Sequence, residues 1–293
     1  MEFTLTQSLI DIAFRGSIYA LFAIGYALTY VAGGTLNVAH PVSAMAAAAA
    51  VSWLLARNQP IWIAAGGGVI AGAIAGIVVD RIVLRPARSR SGGPLGPARP
   101  LIAGLAALAA FGALVSEPER PTHLLHAGFF RVGGFGVPKL TIEGTIASIV
   151  ALLIVVAIVR TSRYGLGLRA LGSNTQAARA AGVGAEPMHL RTALLASMCG
   201  AIAAIALLTA PDYFAGRSTP FDLPLAGLAA VALGGLSSLP ATIIGAFIVA
   251  SVQVLAPTAD ASDAIAATML VLAIALLPRG LLAATRLRET DHR

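Results

Sequence analysis

Residues 61–79 read "IWIAAGGGVIAGAIAGIVV" without one charged side chain. A helix needs about 20 consecutive apolar residues to cross a bilayer's hydrocarbon core. No water is present there to satisfy backbone groups, so the segment must close its own hydrogen bonds as a helix. The stretch "TALLASMCGAIAAIALLTA" (192–210) meets the same condition. The whole chain agrees: 57% of its 293 residues are hydrophobic and 11% charged, against roughly a quarter charged in a soluble domain. The predicted fold class is all-α, a polytopic integral membrane protein.

The apolar runs are continuous and lack the alternation of a membrane barrel. Crossings are expected at 12–32, 38–56, 61–80, 100–116, 142–160, 191–210, a divided region 223–256, and 263–278. That makes about eight or nine crossings, including broken or re-entrant helices, in a single transmembrane domain over 1–293. Glu2 and Asp11 stand where a cleavable leader would be basic, so the first span is expected to be retained.

The net charge of +7 comes from arginines gathered in a few inter-span loops with no aromatic interleaving. That is the positive-inside pattern, with the bilayer as partner and no nucleic acid. Arg81, Arg85, Arg88, Arg90 and Arg99 form one cluster, residues 160–191 a second, and the tail 279–293 a third. These regions should be cytoplasmic, with the N-terminus outside. Asp80 and Arg81 read as interfacial anchors, and Asp11 and Arg15, four apart, can pair on one helix face. The stretches 117–139, 211–222 and the one holding Asp260 and Asp263 should face outward. If so, the uncharged region 223–259 must enter the membrane and return.

The return is expected at "GGLSSLP" (234–240), because glycine and proline punctuate helices. A similar interruption, "GGTLNVAHP" (33–41), lies in the uncharged stretch 16–56. Transporters use paired broken helices to build a pathway near the midplane. Gly33, Gly34, Asn37, His40, Gly234, Gly235 and Ser237 are therefore candidate pathway residues. The competing reading is that both breaks are cytoplasmic turns. Asn37 and His40 would share a face if helical, lining a pathway, or else capping a helix end beside water. Gly68, Gly72 and Gly76 form a stripe that permits close helix packing.

Several functions are excluded. No H-E-x-x-H, G-x-S-x-G or paired carboxylate motif supports an intramembrane enzyme, and the expected protein is not an enzyme. Lone Cys199 excludes an intrachain disulfide or a cysteine-based cluster, and His40 has no partner at metal-ligand spacing, so no metal site is expected. A P-loop is missing, since the sole lysine is Lys139 followed by Leu140. Almost every carboxylate lies at a span end or in a loop, which weighs against ion-driven transport.

Residues 163–183, "RYGLGLRALGSNTQAARAAGV", form a charged, helix-prone insertion between two spans. Ser173 or Asn174 can cap a second short helix that Gly182 stops. Two short helices joined by a kink exceed what a connection requires. They either lie on anionic lipid or dock a cytoplasmic partner.

In "GSIYALFAIGYALTYVAGGTLNVAH" (16–40), "RPLIAGLAAL" (99–108), "RTSRYGLGLRALGSNTQAARAAGV" (160–183), "GLAAVALGGLSSLPATIIGAFI" (227–248) and "LLPRGLL" (276–282), the chain resembles the LivH-like permease subunits of branched-chain amino acid ABC importers. The resemblance covers nearly the whole chain. It implies a multi-pass subunit of the bacterial inner membrane. Its partners would be two cytoplasmic ABC ATPase subunits, a second permease that is a paralogue, and a periplasmic or lipid-anchored solute-binding protein. The cargo would be branched-chain or other small hydrophobic amino acids, with urea and short amides carried in the wider family. No cofactor is expected in the chain, ATP being bound by partner subunits. The cytoplasmic coupling loop, about 161–186, would place Tyr164, Gly165, Arg169, Ala170, Ala178, Arg179 and Gly182 at the ATPase. Val38 and Pro41 depart from the family's Asn-Phe-Ala-His-Gly, stiffening the first turn. The alternative is a stand-alone secondary transporter or channel.

Overall fold

A computed structural model of the chain describes residues 2–89, 96, 98–115, 128–132, 135–210, 223–256 and 259–276. The tail 279–293, the loop 211–222 and all of 117–127 lie outside them. The apolar runs are helical: α1 (Glu2–Gly33), α2 (Pro41–Ala56), α3 (Ile61–Val79), α4 (Arg85–Ser89), α5 (Arg99–Leu114), α6 (Lys139–Thr161), α7 (Arg163–Ser173), α8 (Thr175–Ala180), α9 (Ala185–Leu207), α10 (Leu223–Gly234), α11 (Leu239–Val254) and α12 (Ala259–Leu276). The stretches Leu5–Gly33, Ile61–Ser89, Lys139–Thr161 and Ala185–Leu207 are long and apolar enough to cross a membrane. Others are shorter: α2 has 16 residues, about 24 Å of helix, less than the ~30 Å hydrocarbon core.

Two features depart from the sequence reading. Helix does not stop at residue 80: a π-helical turn, Asp80–Leu84, carries the chain from α3 into α4. Asp80 is 6% exposed and bonded to the guanidinium of Arg88 at 2.8 Å, a partner the sequence reading did not give it. The second departure is an antiparallel hairpin, β1 (Phe129–Val132) with β2 (Phe135–Pro138), pairing Phe130 with Val137. Aromatic and β-branched residues around two glycines favour such a hairpin. It precedes α6, outside the apolar runs.

The chain packs as two compact units. One comprises Met1–Ile24, Arg120–Leu152 and Ala206–Arg293. Here α10 and α11 run antiparallel: a Cβ on Gly234 would lie 2.2 Å from the Ala241 oxygen, and one on Gly245 2.3 Å from the Ala230 oxygen. The chain therefore reverses at the second break, as the charge pattern required. Thr141 Oγ1 donates to the Thr209 carbonyl at 2.7 Å, beside Gly144, which faces Ala206.

The other unit comprises Gly25–Glu119 and Leu153–Ile205. The α3 glycine stripe packs on two helices at once. Gly68 and Gly72 face Ala47 and Ser43 of α2, while Gly72 and Gly76 face Ala201 and Ser197 of α9. Ser197 Oγ would be only 1.7 Å from a Cβ on Gly76. Without side chains on that stripe the backbones approach closely, which in lipid replaces the hydrophobic drive for association.

Candidate functional site

The first break follows from two residues that punctuate helices. α1 ends at Gly33, and Gly34 takes φ +68° while its N–H bonds the Tyr30 carbonyl at 2.7 Å. Helix resumes at Pro41, whose missing N–H costs nothing at a first-turn position. Between them the chain is not helical, so Asn37 and His40 do not share a helix face. The side-chain oxygen of Asn37 instead accepts from the Ala39 N–H at 3.1 Å.

His40 is 3% exposed, its ring edge-on to Tyr26 with centroids 4.8 Å apart. A Cβ on Gly25 of α1 would lie 2.4 Å from its Cε1, and one on Gly200 of α9 3.0 Å. Two glycines thus make the room that the imidazole fills.

The second break repeats the device. α10 ends at Gly234, Gly235 takes φ +101° and bonds the Val231 carbonyl at 2.7 Å, and helix resumes at Leu239–Pro240. Thr242 Oγ1 ties the new helix to the Ser238 carbonyl at 3.0 Å. Ser237 is exposed at the turn.

The arginine-rich insertion is two helices. Ser162 caps α7 by accepting the Gly165 N–H at 3.1 Å, Asn174 caps α8 by accepting from Ala177 at 2.9 Å, and α8 stops at a left-handed Gly182 (φ +86°). Its seven candidate residues divide into two groups. Tyr164, Gly165 and Ala178 face the unit's interior or its edge, whereas Arg169, Arg179 and Gly182 are exposed and Ala170 is half-buried.

The inward group docks the insertion on the spans. A Cβ on Gly165 would lie 1.9 Å from the Val159 oxygen of α6, so only glycine permits the approach. Arg169, although exposed, donates Nη1 to that same carbonyl. The Tyr164 hydroxyl meets Thr192 Oγ1 of α9 at 2.8 Å. Burial raises the Tyr164 pKa above its ordinary value, so the phenol stays protonated and able to donate. Gly172 abuts α1: a Cβ there would lie 2.7 Å from Val31 Cγ1, two residues before the break.

Thr192 connects these features. It lines a small cavity, about 30 Å³, together with Thr35, Asn37, Asp80, Arg88 and His189, room for about one or two waters. The insertion therefore meets two neighbours of the first break, the end of α1 through Gly172–Val31 and α9 through Tyr164–Thr192. Among the described residues no group of three or more His, Cys, Asp or Glu is placed to hold a metal ion.

A profile described as "Branched-chain amino acid transport system / permease component" matches residues 8–277. The chain belongs to this permease family. It is 28% identical to the high-affinity branched-chain amino acid transport system permease protein LivH of Salmonella typhimurium, with 91% of this chain and 92% of that protein covered. The LivH protein of Escherichia coli K12 is 27% identical with the same coverage. A solved structure, PsaBC from Streptococcus pneumoniae in complex with Fab, matches 91% of this chain and 90% of its own at TM-score 0.50 and 14% identity. That likeness concerns the fold alone.

Several residues of the permease escaped the sequence reading. Val31, Gly172, His189 and Thr192 look like ordinary span or loop residues until the fold sets Gly172 on Val31 and His189 and Thr192 in the small cavity. Leu166 is 64% exposed on α7, while Leu168 and Leu171 of the same helix are buried. An aliphatic on the outward side of an amphipathic helix was the available signal for a contact residue.

Proposed function

We propose that the chain is the membrane-spanning permease subunit of an ABC importer that carries branched-chain or similarly small apolar amino acids into the cell. ATP is hydrolysed by two separate cytoplasmic subunits, a second, paralogous permease completes the pathway, and a solute-binding protein delivers cargo from outside. The setting is the bacterial inner membrane, with the arginine-rich ends inward.

The observation that carries this reading is the seating of α7 against the end of α1. Gly172 rests on Val31 and Tyr164 is bonded to Thr192 of α9, so movement imposed on the insertion reaches the Gly33–Pro41 break directly through α1 and, by a second route, through α9. The exposed Leu166, Arg169, Arg179 and Gly182 are then the surface offered to an ATPase groove. Alternating access follows if the two glycine–proline breaks open in turn to each side. The substrate class is supported by the names of the relatives.

In vesicles containing the permease with its ATPases and a delivered binding protein, leucine uptake is expected to require ATP inside. It should persist when ionophores collapse proton and sodium gradients. Uptake by the chain alone, driven by an ion gradient and indifferent to ATP, would establish the stand-alone transporter instead.

A further inference from the structure

A second, larger cavity of about 330 Å³ opens beside the first, a volume at the low end of small-molecule sites, about 300–1,000 Å³. It is bounded by Thr35 from the first break, Arg88 from α4, Thr175 and Arg179 from α8, and Glu186 and His189 from α9. Its chemistry is cationic. The two nearby carboxylates are already engaged, Asp80 by Arg88 at 2.8 Å and Glu186 by Arg85 at 2.9 Å. The guanidiniums of Arg88, which has one Nη on Asp80, and of Arg179 line the cavity with the His189 imidazole and the Thr35 hydroxyl.

The wall suits polar groups better than the permease's proposed cargo. Among the described residues no leucine, isoleucine, valine or phenylalanine lines this cavity, so a branched aliphatic side chain would meet no aliphatic side chain of its own kind there. Tetrahedral oxyanions need no such surface; they need several N–H and O–H donors at once, which guanidinium groups supply best.

We propose that this cavity binds a phosphate group, and that the bound phosphate ties α8 to the first break. Exposed Ile82, Leu101 and Ile102 lie on the segments that supply Arg88 and follow Arg99, where acyl chains could continue from a lipid headgroup. Basic pockets at the cytoplasmic side of helix bundles take anionic headgroups. Free inorganic phosphate offers the same chemistry.

The test is thermal unfolding of the full chain, with whatever subunits accompany it, in vesicles of phosphatidylcholine alone, with added phosphatidylglycerol, and with inorganic phosphate. Wild type should be stabilised by phosphatidylglycerol if the source is lipid, or by inorganic phosphate in the neutral vesicles if it is soluble. Arg179→Gln, at an exposed position of α8, should weaken the effective affinity about tenfold, as for one lost charge-assisted hydrogen bond. Adding His189→Gln should weaken it further, and Arg179→Lys should restore most of it. Equal stabilisation of wild type and Arg179→Gln, no stabilisation by either phosphate source, or stabilisation by leucine that Arg179→Gln abolishes would each overturn the proposal.

Discussion

Gly165→Ala is expected to cut ATP-driven uptake by the assembled permease sharply while leaving the chain in the membrane. A Cβ at this position would lie 1.9 Å from the Val159 oxygen and 2.5 Å from its carbonyl carbon. Both are backbone atoms of α6, so no side chain can rotate aside. α7 must lift away, at an overpacking cost of about 1–3 kcal/mol. With it go the register of the Arg169 bond to Val159 and of the Tyr164 bond to Thr192. The spans themselves are untouched, so membrane levels should stay near wild type. Uptake should fall roughly tenfold or more, the equivalent of ~1.4 kcal/mol on the barrier, while basal ATP hydrolysis persists. Wild-type coupled uptake in this variant would show that the docking of α7 on α6 transmits nothing.

Arg88→Met carries the second large effect. The Asp80 and Arg88 side chains are 8% and 20% exposed, and their bond is 2.8 Å long. Removing the cation strands a buried carboxylate, which typically costs about 3–5 kcal/mol. The double variant Asp80→Asn with Arg88→Met removes both charges and should recover most of the loss. Thermal unfolding in detergent measures both. If Arg88→Met melts with wild type, the pair is solvated and contributes nothing to holding α4 against α3.

The parts of this fold that were legible in the sequence are those governed by local chemistry. Gly34 and Gly235 adopt positive φ where the sequence placed breaks, and Pro41 and Pro240 restart the helices. Asn174 caps α8 and Gly182 stops it, again from residue type alone. Inheritance of the glycine stripe's role was equally direct, since Gly72 and Gly76 could do little except permit contact.

What stayed hidden depends on partners distant in sequence or on irregular backbone. Asp80 at a span end looks interfacial, and its partner Arg88 is eight residues away across a π-helical turn, a spacing that no regular helical period suggests. Asn37 and His40 sit at helical spacing, but Gly34 and the Asn37 turn prevent the helix that would align them. The burial of His40 needs Gly25 and Gly200 from two different helices. Such coincidences are properties of packing, and they are where the polar centre of the permease is built.

The most direct test of the central claim is gentle detergent purification of the tagged chain from its native membranes, with mass spectrometry of what accompanies it. The account predicts P-loop ATPases and a second membrane subunit in the same preparation, lost when Leu166 and Arg179 on the exposed surface of α7 and α8 are both replaced by Glu. Recovery of the chain alone, under conditions in which ABC complexes of the same membrane survive intact, would contradict it.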